Sequence, residues 1–173
     1  MSLSESLSDD VTSPSQTLGP LYGFALMFEG SEKMLERDDP AAIELVGRVT
    51  DAGGPVAWPE AMVEVWNGEL WARGRTDEAG EFHFVIRKPG PEHTTDAEPL
   101  APYLNVMVFA RGLLKHAYTR LYFPDESAAN AGDPVLALVD DDLRHSLIAQ
   151  ADGERLRFDV CLQGPEETVF FEY

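Results

Sequence analysis

Glu81-Phe82-His83-Phe84-Val85-Ile86-Arg87 is bracketed by Asp77-Glu78-Ala79-Gly80 and Lys88-Pro89-Gly90-Pro91. Phe82, Phe84 and Ile86 take every second position, with Glu81, His83 and Arg87 on the alternate face, the pattern of a strand with one side in a core. The flanking segments are turn chemistry, and Pro-Gly-Pro stops a strand outright. The same pattern recurs outward. From Ile43 to Thr50, Ile43, Leu45, Gly47 and Val49 oppose Glu44, Val46 and Arg48, and Asp51-Ala52-Gly53-Gly54 closes the strand. Met62 to Trp66 alternates around Val63 and Val65, and Tyr103 to Arg111 and His116 to Phe123 read as two strands joined through Gly112. Leu156, Phe158, Val160 and Leu162 alternate with Arg155, Arg157, Asp159 and Cys161, which predicts one last long strand with its cysteine turned from the apolar face. The stretch from Asp125 to His145 is irregular, with a short helix expected over 141–147. Short strands separated by turns, with hardly a helix, predict an all-β fold, an antiparallel β-sandwich.

The 173 residues, 44% of them apolar or aromatic, suffice for one domain with a hydrophobic core. The Ser- and Asp-rich residues 1–13 read as a disordered arm and residues 14–173 as a single domain. Thirteen basic residues against 31 acidic ones give a net charge of -18, which disfavours nucleic acid and anionic membranes. It also means that an anionic substrate would need a local cation. The one cysteine, Cys161, rules out an intrachain disulfide and a thiolate cluster. With no basic, apolar leader in residues 1–12 and no apolar run of roughly 18 residues, the expectation is a soluble, cytoplasmic protein.

Seven short segments occur in a telling order: Pro14-Ser15-Gln16-Thr17-Leu18-Gly19-Pro20, Val63-Glu64-Val65-Trp66, Gly74-Arg75-Thr76-Asp77, Lys88-Pro89-Gly90-Pro91, Phe109-Ala110-Arg111-Gly112, Thr119-Arg120-Leu121-Tyr122-Phe123 and Glu167-Thr168-Val169-Phe170-Phe171. Together they resemble the intradiol ring-cleavage dioxygenases, and among them most closely the α subunits of the protocatechuate 3,4-dioxygenases. The resemblance runs from about Pro14 to Tyr173. It implies a β-sandwich that assembles as αβ heterodimers into larger oligomers. It implies a catalytic β partner that holds a non-haem ferric ion with two tyrosines and two histidines. The reaction implied uses dioxygen to open protocatechuate between its hydroxyls, giving 3-carboxy-cis,cis-muconate in aromatic catabolism.

The residues bear on whether this chain holds iron itself. Two histidines at i and i+2 of a strand share a face and can converge on one ion. The four histidines, His83, His93, His116 and His145, include no such pair. The resemblance places the family's pair at Tyr103 and Asn105, one tyrosine ligand in an insertion that Asn67 to Arg73 lacks, and the other where this chain has Glu92 and His93. The chain is therefore expected to carry no metal, with Fe(III) bound by the partner. A rearranged site from His93, Tyr103, His116 and Tyr118 is the alternative.

What it could lend the partner's pocket is also implied by the resemblance: Thr17, Gly19 and Pro20, where Gly19 permits close backbone approach and Pro20 fixes direction, and Arg111, whose planar fork suits a carboxylate. The plain readings are an ordinary turn for 17–20 and a surface or interface salt bridge for Arg111. Arg111 lies about 27 Å along a straight strand from Tyr103, too far to serve the vacated positions of its own chain. His116, Tyr118, Arg120 and Tyr122 make a polar and aromatic row that reads as an exposed edge for a subunit contact. Asp140-Asp141-Asp142 reads as a solvated run and Cys161 as an inert thiol. Two other functions compete: a β-sandwich binding module that keeps only the scaffold, and a homo-oligomeric dioxygenase with iron of its own.

Overall fold

Alternating apolar positions become paired strands throughout the residues that the computed structural model describes, namely 14–17, 19, 22–52, 54–56, 61–90 and 100–172. The expected arm over residues 1–13 lies outside them, as do Pro20, Glu92 and His93. A short helix α1 (Tyr22–Leu26) precedes β1 (Ala42–Asp51), β2 (Gly54–Pro55), β3 (Ala61–Trp66), β4 (Trp71–Arg75), β5 (Glu81–Arg87), β6 (Tyr103–Ala110) and β7 (Ala117–Tyr122). Helix α2 (Ser127–Gly132), a 3-10 turn at Arg144–Leu147, β8 (Gln150–Asp152), β9 (Arg155–Arg157) and β10 (Val160–Cys161) follow.

Two sheets form the sandwich. In one, β1 is central: β5 lies antiparallel on one side, with Ala42 opposite Arg87 and Arg48 opposite Glu81, and β9 and β10 pair with β1 in parallel on the other. The second sheet is antiparallel throughout, in the order β4-β3-β6-β7. Phe82, Phe84 and Ile86 of β5 meet Leu104, Val106 and Val108 of β6 between the sheets, all at 0–2% exposure. Burial of this kind contributes roughly 1.5–3 kcal/mol per large side chain.

The predicted alternation of β5 is observed, with one addition: Val85, on the outer face, is also buried. Its N–H donates to Glu32 O at 3.1 Å and its carbonyl accepts Met34 N–H at 2.7 Å, so the segment before β1 covers this edge. Strand β4 was not anticipated from the sequence. Only the small Ala72 and Gly74 face inward there, and Phe84 packs against Gly74, so the apolar period is absent. Helices α1 and α2 were not anticipated either, and the expected helix over 141–147 is a 3-10 turn confined to Arg144–Leu147.

The predicted last strand is broken in two, and its parallel pairing is a departure from a wholly antiparallel fold. Between β9 and β10 the chain bulges. Phe158 N–H still donates to Val46 O at 2.9 Å, but Arg48 N–H finds the Asp159 carboxylate, at 2.9 Å, instead of a carbonyl. The ladder resumes where Leu162 N–H donates to Thr50 O at 2.8 Å. The side chain thus satisfies a backbone donor that the bulge would orphan. Gly47 makes the bulge possible, because a Cβ there would fall 1.9 Å from Phe158 O and 2.4 Å from the Phe82 ring.

Gly47→Ala should therefore destabilise the fold by at least about 2 kcal/mol. Gly132→Ala, with open space around it, should leave stability unchanged or raise it by up to about 1 kcal/mol. Urea unfolding of both variants tests this, and equal midpoints would contradict it.

Candidate functional site

Thr17 and Arg111 reach the same corner of the molecule by different routes. Arg111 follows the end of β6, in a turn closed by Leu113 N–H to Ala110 O at 3.1 Å. The N–H of the next residue, Gly112, donates to Thr17 Oγ1 at 2.7 Å, a bond spanning 95 positions of sequence. From there Gly19 O accepts Tyr22 N–H at 3.2 Å at the entry to α1. The far end of α1 is held by Arg73, whose guanidinium donates to Leu26 O at 3.1 Å, while Arg73 N–H donates to Ser31 O at 2.6 Å. The N-terminal segment is thus tied at one end to the β6–β7 turn and at the other to β4. Thr17, Gly19 and Arg111 are exposed, as a wall offered to another molecule must be.

The opposite end of the outer face of β6 is filled. Tyr103 and Asn105 lie opposite Tyr122 and Arg120 of β7. The Arg120 guanidinium stacks over the Tyr103 ring at 4.1 Å and lies 5.8 Å from the Phe171 ring. It donates to Tyr122 Oη at 3.3 Å, and Tyr122 donates in turn to the buried Asp133 carboxylate at 3.2 Å. Tyr118 donates to Asn105 Oδ1 at 2.6 Å. Burial, reinforced by Asp133 and opposed by Arg120, pushes the Tyr122 phenol well above its usual range, so it stays a neutral donor. Burial works against the charge on Arg120, but bonding to the Tyr122 and Tyr118 oxygens outweighs it and its pKa is raised.

The row on β7 is not an open edge, contrary to the reading from sequence. Phe171 N–H donates to Tyr118 O at 2.8 Å and Thr119 Oγ1 donates to Val169 O at 2.7 Å, so the C-terminal segment covers it. His116 stacks on Phe109 at 5.0 Å, six residues along β6 from Tyr103, so the rearranged set is not assembled from its described members. A cavity of about 890 Å³ lies elsewhere, and none of Thr17, Gly19 and Arg111 lines it. Four of the arginines that line it are met by carboxylates, Arg37 by Glu44, Arg73 by Glu64, Arg155 by Asp152 and Arg157 by Asp159.

Comparison with known proteins decides the family. The chain is 37% identical to the protocatechuate 3,4-dioxygenase alpha chain of Burkholderia cepacia over 192 aligned positions, covering 92% of this chain and 96% of the relative. It is 36% identical to the alpha chain of the same name from Pseudomonas putida, with the same coverage. The chain belongs to the protocatechuate 3,4-dioxygenase α-chain family. No family profile matches it. Among solved structures, the dioxygenase domain of a dioxygenase and carbohydrate-binding protein fusion from Streptomyces sp. SirexAA-E superposes with a TM-score of 0.54 at 16% identity, over 91% of this chain and all of that one. The 3-chlorocatechol 1,2-dioxygenase of Rhodococcus opacus 1CP gives 0.54 at 17%, over 79% and 68%. At such identities these establish the shared β-sandwich fold.

In this α-chain family member, Tyr103 and Asn105 do not fit a ferric ion. One is stacked beneath a guanidinium and the other is a neutral amide already bonded to Tyr118. The guanidinium fixed over the Tyr103 ring also repels any cation brought to the phenol. Among the described residues, no three His, Cys, Asp or Glu side chains cluster closely enough to hold a metal. Sequence reasoning missed Arg120 as the residue that fills this place. The alternation of Tyr118, Arg120 and Tyr122 on one face is readable in the sequence, but the register that sets Arg120 across from Asn105 is seen only in the fold.

Restoring a histidine pair should accordingly not restore metal. A Tyr103→His, Asn105→His double variant is expected to take up no stoichiometric iron while Arg120 remains. Metal analysis after iron loading checks this, and near-equimolar iron would contradict the obstruction.

Proposed function

We propose that this chain is the iron-free α subunit of a protocatechuate 3,4-dioxygenase and works by completing an active site in a β partner. What carries the reading is the near-full-length kinship with α chains. The corner formed by Thr17, Gly19 and the Arg111 turn supports it, because two segments distant in sequence present one exposed surface. In this proposal the β subunit holds Fe(III), which activates the substrate ring toward dioxygen, and the product is 3-carboxy-cis,cis-muconate, an intermediate of the β-ketoadipate pathway of aromatic catabolism. The residues of this chain do other work. Thr17, Gly19 and Pro20 line the pocket, and Arg111 captures the substrate carboxylate through charge-assisted hydrogen bonds.

That capture answers a difficulty set by charge. A chain of net charge -18 repels a benzoate at long range, so a local guanidinium is needed to hold it. The αβ unit assembles into a larger oligomer, in the cytoplasm and without nucleic acid or membrane. No helix among the described residues is long and apolar enough to cross a bilayer.

Expressed alone, the chain should be colourless and take up no oxygen with protocatechuate. Co-expressed with its metal-binding partner, it should form an equimolar, red, active complex. A chain that alone shows near-stoichiometric iron and a tyrosinate charge-transfer band would contradict the proposal. In the complex, Arg111→Ala should raise KM for protocatechuate by roughly ten- to hundredfold and leave KM for catechol, which lacks the carboxylate, nearly unchanged. Equal effects on the two substrates would remove the carboxylate role.

A further inference from the structure

The turn that carries Arg111 has an N–H that the turn itself does not use. Ala110 O accepts Leu113 N–H, and Gly112 occupies the third position with φ of 96°, as a type II turn requires. The peptide between the second and third residues of such a turn can rotate to the type I arrangement, where φ of the third residue is negative. Rotation changes the backbone dihedral of the second residue, here Arg111, and redirects the Gly112 N–H. In the observed orientation that N–H meets Thr17 Oγ1 at 2.7 Å. Rotating the peptide breaks this bond.

We propose that Thr17 is a positioning residue that acts through Gly112 on Arg111. Its hydroxyl selects one orientation of the Arg111–Gly112 peptide and so holds in one conformation the turn from which the Arg111 guanidinium reaches the substrate carboxylate. The inference rests on the carboxylate role of Arg111 under the proposed function and assigns Thr17 a part distinct from simple pocket lining. Two features make the acceptor effective. A β-branched side chain is stiff at χ1, so the hydroxyl arrives preset. The segment is also tethered beyond it, by Gly19 O to Tyr22 N–H and by Leu26 O to Arg73, so Thr17 cannot retreat cheaply from the turn. The hydroxyl acts here as an acceptor, a role that serine can fill and valine cannot.

The test uses the assembled complex with four variants of this chain: Thr17→Val, Thr17→Ser, Arg111→Ala and the Thr17→Val, Arg111→Ala pair. Thr17→Val should raise KM for protocatechuate by about three- to tenfold, with kcat within about twofold and a clearly smaller rise in KM for catechol. Thr17→Ser, which keeps the acceptor but not the β-branch, should lie much nearer the parent than Thr17→Val, and Thr17→Val should add nothing once Arg111 is Ala. Equal effects on both substrates, or effects that multiply with Arg111→Ala, would overturn the inference. Hydrogen exchange at the Gly112 amide in the same complexes reads the latch independently of turnover. Thr17→Val should speed it and Thr17→Ser should not, and unchanged exchange overturns the latch. If Arg111→Ala treats both substrates alike, the carboxylate reading fails, and exchange at Gly112 still decides whether the latch exists.

Discussion

Glu64 sits on the outer face of β3 at 7% exposure, and a carboxylate that deeply placed costs several kcal/mol unless it is paired. Arg73 on the neighbouring strand supplies the pair, with Nε 2.7 Å from Glu64 Oε1, and its guanidinium also stacks on Trp71 at 4.5 Å. The same residue holds Leu26 O through its side chain and Ser31 O through its backbone. One cation thus joins β3, β4 and two points of the N-terminal segment. Together with the Glu32 and Met34 bonds to Val85, that anchor fixes the segment whose other end meets the β6–β7 turn at Thr17.

The outer face of β6 divides its labour between its ends. At one end Arg111 and the N-terminal segment stay exposed. At the other, Tyr103, Asn105, Tyr118 and Arg120 close on one another beneath Phe171. A cation stacked on a phenol ring and bonded to a second phenol oxygen already stands where an added cation would have to come. Kinship with α chains and this closure both favour the proposed role, in which the chain serves by presenting a surface to a neighbour.

Strands with one buried face were legible because their alternation has a single cause. β1, β5, β6 and β7 appear close to where the periodicity placed them. β4 was hidden because its inward positions are Ala72 and Gly74, kept small by Phe84, and its outward positions are Trp71, Arg73 and Arg75. The alternation from Leu156 to Leu162 was real, yet a side-chain acceptor, Asp159, breaks the ladder without breaking the pattern. At the site, Thr17 and Arg111 were marked by resemblance, but their meeting was not readable, since a single hydrogen bond over 95 positions leaves no periodic trace. Pro20 lies outside the described residues. Arg120 was read as part of an open edge because nothing in the sequence indicated that Val169 and Phe171 return to cover β7.

The central claim is that the iron of the working enzyme lies in the partner and faces the Thr17–Arg111 corner. An anomalous difference map at the iron absorption edge, from crystals of the assembled complex, tests it directly. The account predicts one strong peak per αβ pair, within the partner chain and across from Thr17, Gly19 and Arg111, and no peak beside Tyr103 and Asn105. A peak among Tyr103, Asn105 and Tyr118 of this chain would contradict it.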